Sequence, residues 1–377
     1  MFGAVRLRKI FVVTERRADY SRFKPILELI DSDPDLSYDL VVTGLHLSKK
    51  HGYTIEEIIA DGFSIYSKFK MFNEEIDTAG AMVRSYAEAV HQLTFEVEKS
   101  KPDMILSGFD IAANAAITLI GAHMNIPVAH IQGGEVTGTI DESLRHSMTK
   151  FAHYHFAANQ DACERLEKMG ERPDCIFNVG CPSIDAIINI ENNPNILKKY
   201  NLTSPFFILI QHPVTTEYES ARPQIKITLE AVVKSGYNIL AILPNNDAGF
   251  SPIVEEIEKS GVPFVDTLSL SDYVNLLKNS SGLIGNSSSG IHESATFDVP
   301  TINIGTRQQG RFRGKNVFDV GHDISEILSA MRKCTIIKKN GVKFENPYGD
   351  GTAAVKIVEL LKSLDISQKN IQKRITY

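Results

Sequence analysis

Serine with glycine, histidine, and clustered carboxylates recur in this sequence where an apolar run gives way to a polar loop. Gly285-Asn286-Ser287-Ser288-Ser289-Gly290 follows an apolar run and precedes Ile291-His292-Glu293, which reads as helical. Backbone N–H groups and the Ser287 and Ser288 hydroxyls collected at a helix start make a phosphate site. The glycines let a ligand approach closely, and the partial positive charge of the helix end favours a diphosphate. The plainer reading is a helix cap on an Asn-Ser turn. Glu293, a turn further on, is placed to accept from a ribose diol or is simply solvated. His212, in Gln211-His212-Pro213-Val214-Thr215-Thr216, stands directly after the apolar run Phe206 to Ile210. There it can donate to a phosphate oxygen and help a leaving group depart, where many lone histidines are only structural.

Arg17 and Ser21 meet at a second such turn, Glu15-Arg16-Arg17-Ala18-Asp19-Tyr20-Ser21, after the run Ile10 to Thr14. They are anion-binding candidates, with an exposed basic turn paired to Asp19 as the alternative. Two carboxylate-bearing segments follow successive apolar runs: Ser107-Gly108-Phe109-Asp110, and Gly133-Gly134-Glu135-Val136-Thr137-Gly138-Thr139-Ile140-Asp141-Glu142. Acids gathered in one place shift each other's pKa values, so that one donates a proton while another accepts it; solvated loop acids are the alternative. The 11 histidines include His146, His153 and His155, but no HExxH or Cys/His cluster accompanies them, so no metal is expected. No GxGxxG follows the first run either, which argues against tightly bound NAD.

Short β-branched runs, each followed by a Gly, Asn or Pro signal and then by helical spacing, predict βα units of a parallel sheet. In the first half the predicted strands are Lys9 to Thr14, Tyr38 to Thr43, Ser64 to Lys68, Met104 to Ser107, Pro127 to Ile131 and His155 to Ala158. A second series comprises Phe206 to Ile210, Asn238 to Leu243, Phe264 to Asp266, Gly282 to Gly285 and Thr301 to Ile304. The fold class expected is α/β, with two Rossmann-like, doubly wound domains facing a cleft. One spans 1–180, completed by a returning C-terminal helix within 353–377, and the other spans 181–352. Ligands of open parallel sheets lie beyond the carboxyl ends of the strands, which is where the motifs above fall.

A length of 377 residues, at about 150 per domain, agrees with two domains. Hydrophobic residues at 43% and charged residues at 23% fit a globular chain able to bury large cores. A net charge of −6 gives no bulk attraction to nucleic acid or to an anionic membrane, so the expected partners are small molecules or further copies of the chain. The 4 cysteines show no CxxC spacing, as for free thiols in a reducing cytosol. The basic start precedes an apolar run too short for a signal peptide, and no run approaches the roughly 20 residues of a membrane span, so a cytoplasmic address is expected.

Taken in order, Arg17-Ala18-Asp19-Tyr20-Ser21, the Gly133 to Glu142 segment, Arg145-His146, Gln211 to Thr216, Gly285 to Gly290 and Gly305-Thr306-Arg307-Gln308 resemble the hydrolysing UDP-N-acetylglucosamine 2-epimerases over nearly the whole chain. The resemblance implies a glycosyltransferase-B-like fold that closes over a UDP-sugar and yields free N-acetylmannosamine and UDP, for sialic-acid and related nonulosonate synthesis. It implies anti elimination of UDP through a 2-acetamidoglucal, hydration with inversion at C2, no cofactor, and a homodimer or dimer of dimers. By the family pattern Asp110 and Asp141 are acid/base candidates and His212 the phosphate-side residue. Arg17, Ser21, Ser287, Ser288, Glu293 and Arg307 are nucleotide-binding positions.

Three departures from that pattern stand out. The usual His-Gly-Asp-Arg reads Ser107-Gly108-Phe109-Asp110, so that Asp110 matches only with one residue inserted. Gln132 replaces a glutamate and cannot act as an ordinary acid or base, which leaves Glu135 to take that role. The stretch around Pro252 to Glu256 lacks the arginines that vertebrate members use for feedback by cytidine-linked sialic acid. The first two changes fall on the sugar side, so a modified sugar of the legionaminic-acid type, or a guanosine-linked one, is the alternative substrate. A glycosyltransferase of the same fold would put no solvent deuterium at C2, and a non-catalytic sugar-nucleotide sensor would bind without releasing UDP.

Overall fold

Strands form where the apolar runs were read. In the computed structural model, which describes residues 7–49, 52–72, 78–138, 140–245, 247, 249–367 and 371–376, they build two parallel sheets. The basic start at residues 1–6, with Thr139 of the Gly133 to Glu142 segment and residues 368–370 and 377 of the terminal segment, lies outside the described residues.

The first unit comprises Met1–Glu135, Asp141–Ala186 and Gly351–Tyr377. Its strands are β1 (Arg8–Thr14), β2 (Leu36–Val42), β3 (Ile65–Lys68), β4 (Met104–Gly108), β5 (Val128–Ile131), β6 (Tyr154–Ala157) and β7 (Ile176–Asn178), ordered β3-β2-β1-β4-β5-β6-β7. β1 is buried on both faces: Ile10 and Val12 pack with Phe23, Ile26 and Leu27 of helix Arg17–Ser32, whereas Phe11 and Val13 pack with Leu93 and Val97 of helix Ala79–Ser100. Each such side chain contributes about 2 kcal/mol, which is why these strands read as continuous apolar runs rather than alternating ones.

The C-terminal helix Ala353–Ser363 joins the first core through Ile357, Val358 and Leu361. The Asp185 carboxylate accepts from its first N–H groups, Ala353 at 3.2 Å and Ala354 at 2.8 Å. Beyond the helix, Lys373 donates to the carbonyls of Thr149 (2.5 Å) and Ala152 (2.7 Å) and pairs with Glu171 (2.5 Å). The buried Glu171 carboxylate also meets His155 and Lys150, each at 2.9 Å, and the Thr376 N–H donates to Gly170 O at 3.0 Å.

The second unit comprises Val136–Ile140 and Ile187–Asp350. Its strands are β8 (Phe206–Ile210), β9 (Asn238–Ile242), β10 (Phe264–Val265), β11 (Gly282–Gly285), β12 (Thr301–Ile304) and β13 (Val317–Val320), ordered β10-β9-β8-β11-β12-β13. Phe207 and Leu209 face helices Ala221–Ser235 and Ile324–Lys339, and Phe206, Ile208 and Ile210 face helix Leu270–Asn279. The changeover between the units falls after Ala186 rather than near residue 180, and residues 136–140 belong to the second unit, a crossing the sequence reading lacks. Among the described residues no helix is long and apolar enough to cross a membrane.

Three histidines of the first unit are buried neutral. His46 lies between the hydroxyls of Thr14 (3.0 Å) and Thr54 (2.7 Å), His130 meets Phe109 O at 3.1 Å, and His153 accepts from the Val128 N–H at 3.1 Å. Burial pushes them down to about 3, 3 and 4 respectively. The unfolded chain takes up these protons near pH 6.5, so this stability is whole above 6.5 and is lost as pH falls. Asp19 works against them: burial pushes it up to about 7, and in the same window it holds a proton that the unfolded chain releases. These four groups take up two protons net, and His155, also pushed down by burial, adds on the same side, so stability should fall by at least roughly 3 kcal/mol per pH unit between about pH 6 and 4. Urea unfolding across that range checks this, and a flat profile would contradict it.

Candidate active site

At the carboxyl end of β1 the chain enters a turn held by carboxylates. Glu15, fully buried, accepts from the Arg16 guanidinium at 2.7 Å and from the Ala113 N–H at 2.8 Å, tying this turn to helix Ala112–His123 after β4. Asp19 accepts from the N–H groups of Glu15 (2.9 Å) and Arg16 (2.8 Å) and so caps helix Arg17–Ser32. The partner expected for the basic turn is therefore engaged elsewhere: Arg17 pairs with Glu57, through Nε at 3.1 Å. Ser21 Oγ donates to Ala18 O at 3.1 Å.

β4 and β5 end side by side. Phe109 and Gln132, the residues just past them, have φ of 69° and 60°, a left-handed backbone that costs roughly 1–2 kcal/mol for each residue with a Cβ. Their backbones stay tied to neighbouring strands, since the Phe109 N–H donates to Ile131 O at 3.0 Å and that of Gln132 to Phe156 O at 2.9 Å. The turn sends the Phe109 ring into the core, 5.2 Å from Phe23, and Asp110 onto Arg145. Arg145, from helix Ile140–Phe151, is 1% exposed and also donates to Glu135 O at 3.0 Å. Gly134, at φ +81°, is required here, because a Cβ would lie 2.5 Å from Ala162 O.

Gln132 is 2% exposed and Glu135 3% exposed, and the Gln132 amide donates to the Glu135 carboxylate at 2.8 Å. Its carbonyl oxygen accepts from Arg22 at 3.0 Å, and the Arg22 guanidinium lies 4.8 Å from the Phe109 ring centre. Asp110, Gln132 and Glu135 are thus brought together by two arginines. Asp141 lies half-buried in the first turn of the helix that carries Arg145, one turn away.

In the second unit the site is organised by Asn286, just past β11. Its carboxamide accepts from the His212 N–H at 2.7 Å and donates to His212 O at 2.9 Å, while its own carbonyl accepts from Arg307 (3.1 Å) and Gln308 (2.9 Å). His212 Nδ1 accepts from the Asn245 N–H at 3.4 Å, which leaves the proton of a neutral ring on Nε2 as a donor. Gly285, at φ +122°, passes so close to β8 that a Cβ would stand 2.0 Å from Ile210 O. The expected helix after it is a single turn, Ser289–His292, followed by a 3-10 turn, Ser294–Phe297, so it carries little of a helix dipole. Ser287 Oγ accepts from the Ser289 N–H at 3.3 Å, and Ser289 Oγ donates to Glu293 at 2.9 Å; Ser288 stands at the N-cap position without a side-chain capping bond.

Sequence reasoning missed Arg22, and quoted Asn286, Gln308 and Arg145 without a role. Asn286 lay inside a quoted motif, and its fit between β8 and β11 is the signal that the two strand-end motifs belong together. Arg22 has no local signal, since its partner is 110 positions away. Among the described residues no group of three His, Cys, Asp or Glu is placed to hold a metal.

Two parallel-sheet α/β domains with motifs at their strand ends define a glycosyltransferase-B-like fold. The chain matches the family described as UDP-N-acetylglucosamine 2-epimerase over residues 28–362. It is 34% identical to the UDP-N,N'-diacetylbacillosamine 2-epimerase (hydrolyzing) of Legionella pneumophila, over 98% of this chain and 100% of that one. It is 31% identical to the UDP-N-acetylglucosamine 2-epimerase of Neisseria meningitidis serogroup B, over 98% of each. Among solved structures, the Neisseria meningitidis UDP-GlcNAc 2-epimerase bound to UDP-GlcNAc superposes with a TM-score of 0.77 at 18% identity, covering 94% of this chain and 99% of that one. The chain belongs to the UDP-N-acetylglucosamine 2-epimerase family.

Proposed function

We propose that the chain is a hydrolysing epimerase that converts UDP-N-acetylglucosamine and water to N-acetylmannosamine and UDP. The observation that carries this reading is the set of acids held by buried Arg145, which pairs with the Asp110 carboxylate and binds the Glu135 backbone carbonyl, with Asp141 one helical turn away. The reaction needs such a set: one carboxylate removes the C2 proton as the C1–O bond breaks, and another returns a proton to C2 when water adds to C1 of the 2-acetamidoglucal. A phosphate-binding loop alone would need none of them.

In this reading His212 Nε2 donates to the departing diphosphate, and Arg17, Ser21, Ser287, Ser288 and Arg307 hold it. Glu293 accepts from the ribose, and Gln132 stands on the sugar side. All the chemistry belongs to side chains, so no cofactor is required. The released amino sugar would enter sialic-acid-type synthesis, and the enzyme would act in the cytoplasm as a homo-oligomer. His212→Ala should weaken UDP binding about tenfold, the worth of one hydrogen bond to a charged group, and slow leaving-group departure. Calorimetry with UDP checks this, and unchanged affinity would remove His212 from the phosphate.

The 34% identity to the Legionella enzyme favours a second substrate, a UDP-linked diacetylated amino sugar, converted by the same steps. Proton NMR in heavy water with each UDP-sugar separates the readings. Free sugar inverted at C2, deuterated there and accompanied by UDP, supports the hydrolysing reaction on that substrate. An inverted sugar still attached to UDP would replace it by the non-hydrolysing one.

A further inference from the structure

The Arg22–Gln132–Glu135 chain has a direction that the proposed chemistry has not used. Arg22 can only donate, so the face of the Gln132 amide toward it must be the carbonyl oxygen, and the NH2 is thereby turned to Glu135. Each link is itself fixed. Arg22 rests over the Phe109 ring, and Gln132 is held by its left-handed backbone and by the bond to Phe156 O. Glu135 is pinned at both ends, its carbonyl by Arg145 and its carboxylate by Gln132. A glutamate at 132 would pair with Arg22 and repel Glu135; a glutamine instead passes the pull of the guanidinium on to the carboxylate.

We propose that Arg22 and Gln132 are positioning residues, which aim the Glu135 carboxylate and hold it ionised as the proton acceptor of the reaction. The inference rests on the function proposed above. It makes the glutamine at 132 part of a relay rather than the loss of a catalytic acid. Ionisable groups near Glu135 include Arg145, with Asp110 beyond it, and the Cys181 thiol, which burial pushes up to about 11 and keeps neutral. His130, on β5, is also buried neutral.

The test compares pH profiles of kcat for the full-length wild type, Arg22→Met, Arg22→Lys, Gln132→Met and the Arg22→Met/Gln132→Met double variant, on the UDP-sugar that the wild type turns over. A donated hydrogen bond favours the charged carboxylate, so its loss moves the acid-side limb to higher pH by about one unit. It should also lower kcat at pH 7 about tenfold, without changing UDP affinity. Arg22→Lys should regain most of the loss, and the double variant should be no slower than either single one, because each breaks the same relay. A limb that stays at its wild-type pH in both single variants, or losses that multiply in the double variant, would overturn the inference while leaving the function standing. Should Arg22→Met unfold, Gln132→Met carries the same comparison. A wild type that turns over no UDP-sugar would overturn both.

Discussion

Asp141→Asn is expected to bind UDP as the wild type does and to lose turnover by roughly 10²- to 10⁴-fold, the usual worth of a positioned acid or base. Asparagine preserves the shape of the side chain and removes only its titrating proton. The residue lies in the first turn of helix Ile140–Phe151, where both side chains are tolerated and the positive helix end gives the carboxylate only a small advantage. Folding should therefore change by less than about 1 kcal/mol, so lost turnover cannot be put down to unfolding. Rates of UDP release alongside thermal melts decide it, and near-normal turnover would take Asp141 out of the chemistry.

Arg145→Met should be the most destabilising single change at this site. The guanidinium is 1% exposed and donates both to the Asp110 carboxylate and to the Glu135 carbonyl. Removing one partner of a buried pair costs about 3 kcal/mol or more, and methionine restores the volume but neither hydrogen bond. A domain of this size should then melt roughly 6–12 °C lower. Arg145→Lys should rescue little, since one ammonium on a flexible stem cannot match a rigid fork aimed at two acceptors. A shift below about 2 °C would mean that solvent satisfies Asp110 unaided, and that the arginine serves only to aim it.

The two-sheet architecture was legible because strand segments buried on both faces must be continuously apolar, as Ile10 to Val13 of β1, Phe206 to Ile210 of β8 and Leu283 to Ile284 of β11 are. β7 and β13 escaped for the opposite reason. Each lies at a sheet edge, is three or four residues long, and is only partly buried, so Ile176–Asn178 and Val317–Val320 show no sustained run. The excursion of residues 136–140 was equally hidden. It is marked by the Gly138 N–H donating to Arg307 O at 2.9 Å, across a separation that no local pattern encodes.

At the site the reading found groups but not their couplings. Asp110, Glu135 and His212 carried a signal because a polar residue at a strand end is conspicuous. Arg22 and Arg145 did not, because an arginine on a helix reads as a solvated charge until the fold buries it. The inserted Phe109 is the clearest case: from sequence it obscures the match of Asp110, and in three dimensions its left-handed turn delivers that aspartate to Arg145.

The docked C-terminal segment bears on how the protein is handled. Lys373 caps the far end of helix Ile140–Phe151, and it neutralises a carboxylate buried beside His155. A version trimmed back to residue 367 would lose that cap. Expression vectors should accordingly retain residues 371–376. Digestion by carboxypeptidase, monitored by mass spectrometry, would serve as a simple check on whether a purified batch still has its helix closed.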